Sequence, residues 1–186
     1  MNSLKTSTAN HYDLDMTTFT LIHVLISLVG IFSGFIVLFG LLTGKRFDGW
    51  TKLFLTTTLA TSVTGFFFPF RGFTPAHAVG ILSLVVLAIA LYARYLRQLS
   101  GAWRKAYVIN AMLSLYLNVF VLIVQLFQKV PALKTLAPTQ TESPFKLTQL
   151  AVLLTFVALT IVASIRFRTD RIGATASVET KTPVTT

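Results

Sequence analysis

Five long stretches without a charged side chain limit what this chain of 186 residues can fold into. A helix that crosses a lipid bilayer needs about 20 mostly apolar residues, and its backbone forms its hydrogen bonds within the helix. The stretches have 29, 18, 22, 23 and 19 residues and cover 16–44, 53–70, 72–93, 106–128 and 147–165. We predict an all-α integral membrane bundle of five transmembrane helices, at about 17–42, 51–69, 75–96, 104–128 and 146–167.

The composition supports this class of protein, because 54% of the residues are hydrophobic and only 12% are charged. A soluble domain of this size has no interior large enough for so much apolar surface.

The second stretch is the most polar of the five and carries four threonines between residues 56 and 61. Since a threonine hydroxyl can bond to the carbonyl one helical turn earlier, we expect this helix to cross as well.

The distribution of lysine and arginine predicts the orientation, since cytoplasmic loops collect positive charge. With five crossings and the N-terminus outside, 11 of the 16 basic residues fall on the inner side and 5 on the outer side. The C-terminus is then cytoplasmic. The net charge of +10 is divided among short loops at helix ends, which favours contact with anionic lipid of the bilayer and no nucleic acid partner.

The sequence predicts little regular secondary structure outside the five helices. Residues 1–15 form a polar external tail, 16–168 the membrane domain, and the threonine-rich segment 169–186 a disordered cytoplasmic tail. The long external connection 129–146 contains three prolines and cannot form one continuous helix. The chain has no cysteine, which leaves no thiolate or disulfide chemistry.

The segment GFFFPFRGFTPAHAVG, residues 65–80, joins the second and third helices on the outer side. Pro69 ends the second helix, and Thr74 followed by Pro75 predicts a capped start of the third. The segment is therefore a turn between two helices. It also brings His77 to the first turn of the third helix.

Two histidines of different helices are expected at a similar depth near the outer interface. His23 lies about one turn inside the first helix, His77 starts the third, and Arg71 is close in sequence to His77. The two imidazoles are candidate ligands of a haem b iron or another metal, or of a quinone carbonyl. Alternatively, each is an interfacial side chain bonded to water, lipid or a neighbouring helix.

The fourth helix carries one polar stripe, since steps of three or four residues keep side chains on one helical face. We expect this stripe to face protein, either for interhelical hydrogen bonds or to line a cavity open to the outside together with Gln149 of the fifth helix. If the outer polar groups form one ligand site, His23, His77 and Gln125 converge inside the bundle. The stripe consists of Tyr107, Asn110, Ser114, Asn118, Val121, Gln125 and Gln128.

Small residues in the first helix predict a close helix contact. Gly30 and Gly34 are spaced as GxxxG. They continue the helical face of His23 and Ser27 further along the first helix. Such glycines allow two backbones to approach closely. We expect this face to pack tightly against another helix.

Common catalytic arrangements are missing from the sequence. All six acidic residues lie outside the uncharged stretches, so no membrane carboxylate is available for a proton relay or a cation site. The sequence contains no P-loop, GxSxG or HExxH motif. We expect a protein without catalytic activity of its own.

The segments FTPAHAVGILSLVVLAIALYARY and GAWRKAYVINAMLSLY resemble a block in uncharacterised bacterial predicted multi-pass membrane proteins. In that block a histidine near a helix start precedes an arginine-rich turn and another helix. Where those families carry a further histidine beside the turn, this chain has Trp103. The resemblance implies a bacterial plasma membrane and no established activity.

Three functions follow as hypotheses. The first is a multi-pass protein of the plasma (inner) membrane that binds a small hydrophobic ligand or serves as a subunit of a membrane assembly, with another protein or as a homo-oligomer. The second is a redox protein that holds haem b or quinone through His23 and His77. The third is a small-solute carrier that uses the polar residues of the second and fourth helices, with Asn118 on its path.

Overall fold

The computed structural model describes the backbone of residues 2–68 and 75–167, and the side chains of 16–68 and 77–167. All regular secondary structure in this part is helical. The predicted roles of Pro69, Arg71, Thr74 and the tail 169–186 lie outside the described residues. The α-helices are α1 (Asn2–Leu42), α2 (Asp48–Thr64), α3 (Pro75–Leu91), α4 (Trp103–Lys129), α5 (Pro131–Leu136) and α6 (Ser143–Arg166).

Four helical segments in the described residues are long and apolar enough to cross a membrane: Met16–Leu42, His77–Leu96, Trp103–Lys129 and Ser143–Arg166. They coincide with the first, third, fourth and fifth predicted spans. α1 begins at Asn2, well before the predicted 17, and its apolar part covers the predicted span. The all-helical class is confirmed, and four of the five predicted spans are helices long and apolar enough to cross a membrane.

α2, which matches the second predicted span, has 17 residues of α-helix followed by a 3₁₀ helix at Gly65–Phe67. Its threonines behave as expected from the sequence. Thr57 Oγ1 donates to the carbonyl of Leu53 at 2.8 Å, and Thr64 Oγ1 donates to that of Ala60 at 2.7 Å. These bonds keep the hydroxyls satisfied without interrupting the helix.

Local sequence explains where the helices end. After α1, Gly44 adopts a φ of 72° and Lys45 N–H donates to Gly40 O, which is the pattern of a glycine-terminated helix. α4 stops at Lys129 because Val130 precedes Pro131 and takes an extended conformation. A π-helical turn, Tyr92–Leu96, follows α3 and leads into the tight connection to α4.

α4 is the central helix of the bundle, since it packs against α1, α3, α5 and α6, while α1 also packs against α2 and α6. The main core lies around the first half of α4, where Tyr107, Val108 and Leu115 are each only 1% exposed. Alanines with no exposed surface, such as Ala90 of α3 and Ala163 of α6, let the neighbouring backbones come close. The opposite, outward faces of α1, α3 and α6 are apolar and exposed, as lipid contact requires.

The connection between α4 and α6 folds back onto their ends. Ala137 is fully buried against Ile123 and Phe127, and Gln140 Nε2 donates to Val124 O at 2.9 Å. Thr139 and Thr141 donate to the carboxylate of Glu142 just before α6. Desolvation alone would raise the pKa of Glu142, but the hydrogen bonds from Thr139 and Thr141 outweigh it, so the pKa lies below its ordinary value.

Replacing Gly34 by alanine is expected to destabilise the bundle. A Cβ there would lie 2.5 Å from Leu115 Cδ1 and 2.9 Å from Phe54 Cε2, and both side chains are fully buried. Overpacking of this kind costs about 1–3 kcal/mol. A denaturant titration in mixed micelles measures the loss.

Gly49→Ala is the matched control, because a Cβ at Gly49 would have nothing within 4 Å. It should change the free energy of unfolding by no more than about 0.5 kcal/mol. Equal stability of the two variants would contradict the close approach at Gly34.

Candidate functional site

His23 lies between α1 and α2 and does not face lipid. Its Nδ1 is 2.8 Å from Thr64 Oγ1, and the side chain is half-buried. The single hydroxyl hydrogen of Thr64 is donated to Ala60 O, so Thr64 Oγ1 acts as the acceptor towards His23. His23 Nδ1 is therefore the donor, and in the neutral imidazole Nε2 then keeps its lone pair.

A polar seam continues from His23 along the two helices. Ser27 Oγ donates to His23 O at 2.7 Å and lies 3.3 Å from Thr61 Oγ1. The Phe68 ring contacts the imidazole edge to face, with centroids 5.1 Å apart. We call His23, Ser27, Thr61 and Thr64 the α1–α2 seam.

His77 is half-buried near the start of α3, where its ring centroid lies 6.1 Å from that of Phe66. His23 contacts the same chain segment through Thr64 and Phe68. The structure thus brings both histidines to the segment 64–68. Arg71, the third predicted member of this group, lies outside the described residues.

The polar stripe of α4 divides into two halves. In the first half Tyr107 and Ser114 are buried, and Asn118 Nδ2 donates to the fully buried Thr58 Oγ1 at 3.2 Å. In the second half Val121, Gln125 and Gln128 are exposed. Gln128 Nε2 donates to Gln140 Oε1 at 3.5 Å in the connection to α6, so Gln125 is the exposed amide of this half without a described hydrogen bond.

Gln149 of α6 is buried and turned towards α4. Its Nε2 donates to the carbonyl of Phe120 at 3.3 Å, while its Oε1 is buried without a hydrogen-bond partner. This contact joins the two helices and does not reach Gln125.

The predicted convergence of His23, His77 and Gln125 inside the bundle is not observed, because the Gln125 side chain is exposed. Periodicity correctly placed Gln125 on the same face as Asn118. It could not show that neighbouring helices cover only half of that face. Among the residues with described side chains, no group of three histidine, cysteine or acidic residues is arranged to hold a metal ion.

A second polar cluster, which the sequence analysis did not predict, lies at the opposite end of the bundle. Arg94, on the π-helical turn, forms an ion pair with Asp48 at the start of α2. Its guanidinium carbon lies 5.5 Å from the ring centroid of Tyr107. The Arg94 side chain is only 12% exposed and that of Asp48 is 76% exposed.

Only one signal in the sequence pointed to this cluster. Asp48 is the single acidic residue between Asp15 and Glu142, and it stands in a loop rich in lysine and arginine. Its partner is 46 positions away, a distance at which helical periodicity carries no information.

Two clefts at this basic end both have Phe167 in their walls. The larger has a volume of about 340 Å³ and is lined by the first turn of α4, with Arg104 and Lys105, and by Ser164 of α6. The smaller, about 10 Å³, is lined by residues of α1, α2 and α4 together with Arg94, and we call it the Tyr107 cleft. Its lining residues are Val37, Leu41, Lys45, Arg46, Phe47, Thr51, Arg94, Tyr107 and Phe167.

No protein-family model, curated protein or solved structure matches the chain. Class and function therefore rest on the sequence and on this geometry. The fold and its apolar outer surface define a helical, membrane-embedded protein.

Proposed function

We propose that the chain is a five-span protein of the bacterial plasma (inner) membrane, with its N-terminus outside and its C-terminus cytoplasmic. It acts without catalysis, as a subunit of a membrane assembly formed with another membrane protein or with further copies of itself. The observation that carries this proposal is the exposed second half of the α4 stripe, at Val121, Gln125 and Gln128.

Helix length supports a crossing by α2. The α-helix and the 3₁₀ helix that follows it are contiguous and together have 20 residues. At 1.5 Å per residue this is about 30 Å, the thickness of the hydrocarbon core. Thr57 and Thr64 of α2 donate within the helix and Thr58 accepts from Asn118, so these three hydroxyls add little cost in lipid.

Single cysteines test the five-span topology, because the chain has no cysteine of its own. We expect a membrane-impermeant maleimide to label Lys134→Cys in intact cells, and Lys45→Cys only after the membrane is opened. Five crossings place these positions on opposite sides of the membrane. Four crossings, without α2, place them on the same side, so labelling of both from one side would contradict the proposal.

We infer a protein partner because the exposed half of the α4 stripe would otherwise face lipid. Gln125 lies one helical turn from the end of α4, and a primary amide facing hydrocarbon without a hydrogen bond is costly. Two polar pairs link the helices, His23 with Thr64 and Asn118 with Thr58, while Ser114 Oγ and Gln149 Oε1 are buried without a hydrogen-bond partner in the described part of the chain. The exposed amide of Gln125, on the outer surface of the bundle, therefore supports an assembly contact there.

Cross-linking from Gln125→Cys tests the partner. In native membranes a bifunctional maleimide should join this residue to a second protein chain, which is either another copy or a different membrane protein. Leu154→Cys, on the exposed apolar face of α6 with 59% exposure, is the matched control and should give little product. Equal yields from the two positions would refute a partner at the stripe.

A second candidate function is a haem b protein, and the geometry of His23 favours it over quinone binding. His23 donates its Nδ1 proton to Thr64, as ligating histidines do to a neighbouring acceptor, and its Nε2 lone pair is left for iron. A neutral imidazole in this tautomer has no second N–H to donate to a quinone carbonyl. His77 would be the other ligand, and the haem would supply one-electron chemistry.

An absorption spectrum of the purified protein, oxidised and then reduced with dithionite, tests the haem candidate. If haem is bound, His23→Ala should remove the Soret and α bands. Thr64→Val should keep the bands but weaken haem affinity about 10–100-fold, because it removes the acceptor that orients the ligand. His11→Ala is the control among the three histidines. A colourless, folded preparation rules out haem and leaves the assembly proposal standing.

A further inference from the structure

The larger of the two clefts at the basic end lies between the first turn of α4 and Ser164 of α6, and we call it the α4–α6 cleft. Its volume of about 340 Å³ falls within the range of small-ligand sites, which is about 300–1,000 Å³. Since one water molecule occupies about 30 Å³ in the liquid, the cleft has room for roughly ten of them. It can therefore hold a phosphate together with part of the molecule that carries it.

Two basic side chains without an acidic partner line the α4–α6 cleft. Arg104 is half-buried and Lys105 is exposed, and neither forms an ion pair within the described residues. The described wall of the cleft contains no acidic residue. The first turn of α4 belongs to the wall as well, and the N-terminal end of a helix carries partial positive charge. An anion is therefore the ligand that this cleft attracts.

The hydroxyl of Ser164 is available to a ligand in the cleft. The side chain is half-buried, and its Oγ makes no hydrogen bond to the part of the chain that the structure describes. The threonines of the same helix differ, since Thr148, Thr155 and Thr160 each donate to the carbonyl four residues earlier. Ser164 thus keeps a hydrogen-bond donor for a group inside the cleft.

An exposed apolar track on α6 leads from the cleft along the bundle. Ile161 and Val157 follow Ser164 at steps of three and four residues, so the three side chains share one helical face. Ile161 is 56% exposed and Val157 is 47% exposed. At 1.5 Å per residue, Val157 lies about 10 Å from Ser164 along the helix axis. An acyl chain can lie on this track while its headgroup occupies the cleft.

We propose that the α4–α6 cleft binds the phosphate of an anionic phospholipid, with Arg104 and Lys105 as its cationic partners and Ser164 Oγ as a donor. One acyl chain lies over Ile161 and Val157. The shared chemistry is an anionic phosphate, and a soluble phosphate ester is its other source. The apolar track favours the lipid, and basic pockets between membrane helices are known to bind anionic headgroups.

This site is independent of the protein partner proposed at Gln125. The two places are about 30 Å apart along α4, because 20 residues separate Lys105 from Gln125. Either proposal can fail without the other.

Ligand-dependent thermal stabilisation of the full chain in mild detergent tests the site, with short-chain phosphatidylglycerol as the probe. A diacylglycerol with the same chains lacks the phosphate, and glycerol phosphate lacks the chains. We expect phosphatidylglycerol to raise the unfolding temperature in a saturable way. The diacylglycerol should have no effect, and glycerol phosphate should not compete, because it has no chain to lie on the apolar track.

Substitutions in the cleft should weaken phosphatidylglycerol binding. Arg104→Gln and Lys105→Gln are each expected to lower affinity about fivefold, as the loss of one basic contact to an anionic lipid does. Ser164→Ala leaves the charge unchanged and should lower affinity about threefold to tenfold through the lost hydrogen bond. The unfolding temperature without ligand should stay the same for Lys105→Gln, since this side chain is exposed.

Lys52→Gln is the matched control. It removes the same charge from an exposed position near the start of α2, at the same end of the bundle but outside both clefts. Affinity should stay within about twofold of the original value.

The outcomes decide both the site and the source of the phosphate. Losses confined to the cleft variants support the site, and competition by glycerol phosphate would then assign it to a soluble phosphate. Equal losses from Lys105→Gln and Lys52→Gln overturn the site, because the lipid then responds only to the overall positive charge. Unchanged binding by both Arg104→Gln and Lys105→Gln overturns it too, as does equal stabilisation by the diacylglycerol.

Discussion

Close packing against the first half of α4 is the constraint on which the rest of the structure depends. In lipid the hydrophobic effect does not drive helices together, so association relies on van der Waals contact and on a few hydrogen bonds. α4 meets this requirement by burying Tyr107, Met112 and Leu115 against small residues of its neighbours, among them Gly34 and Ala90. The Asn118–Thr58 bond then ties the threonine-rich α2 to the central helix.

The two ends of this core differ in chemistry. At one end the polar contacts are made by neutral groups, such as His23 with Thr64 and Gln149 with the carbonyl of Phe120. At the other end they are cationic, with Arg94 paired to Asp48 and Arg46 lying over the Phe167 ring. Asn118, the residue that a carrier would need on its path, is bonded to Thr58 midway between them. A continuous solute path along α4 would require this contact to open.

The sequence predicted the helical membrane class well. Its uncharged stretches are as long as a helix that crosses the bilayer, and few other folds can accommodate such stretches. α4 was predicted at 104–128 and runs from Trp103 to Lys129, where the extended residue before Pro131 ends it. The site was harder to predict. Whether Gln125 is covered depends on how far the neighbouring helices extend, and the Arg94–Asp48 pair joins residues that only the tertiary fold brings together. The tautomer of His23 likewise depends on Thr64, which lies on another helix.

The length of α1 has a mechanical consequence. Its apolar part starts at Met16, yet the helix begins at Asn2, so 14 residues of unbroken helix precede the apolar part. At 1.5 Å per residue this extension is about 21 Å long. A helix tilt of about 20°, which is ordinary for membrane spans, would move its far end sideways by about 7 Å. A small change in the tilt of α1 would therefore be enlarged at the N-terminal end of this extension.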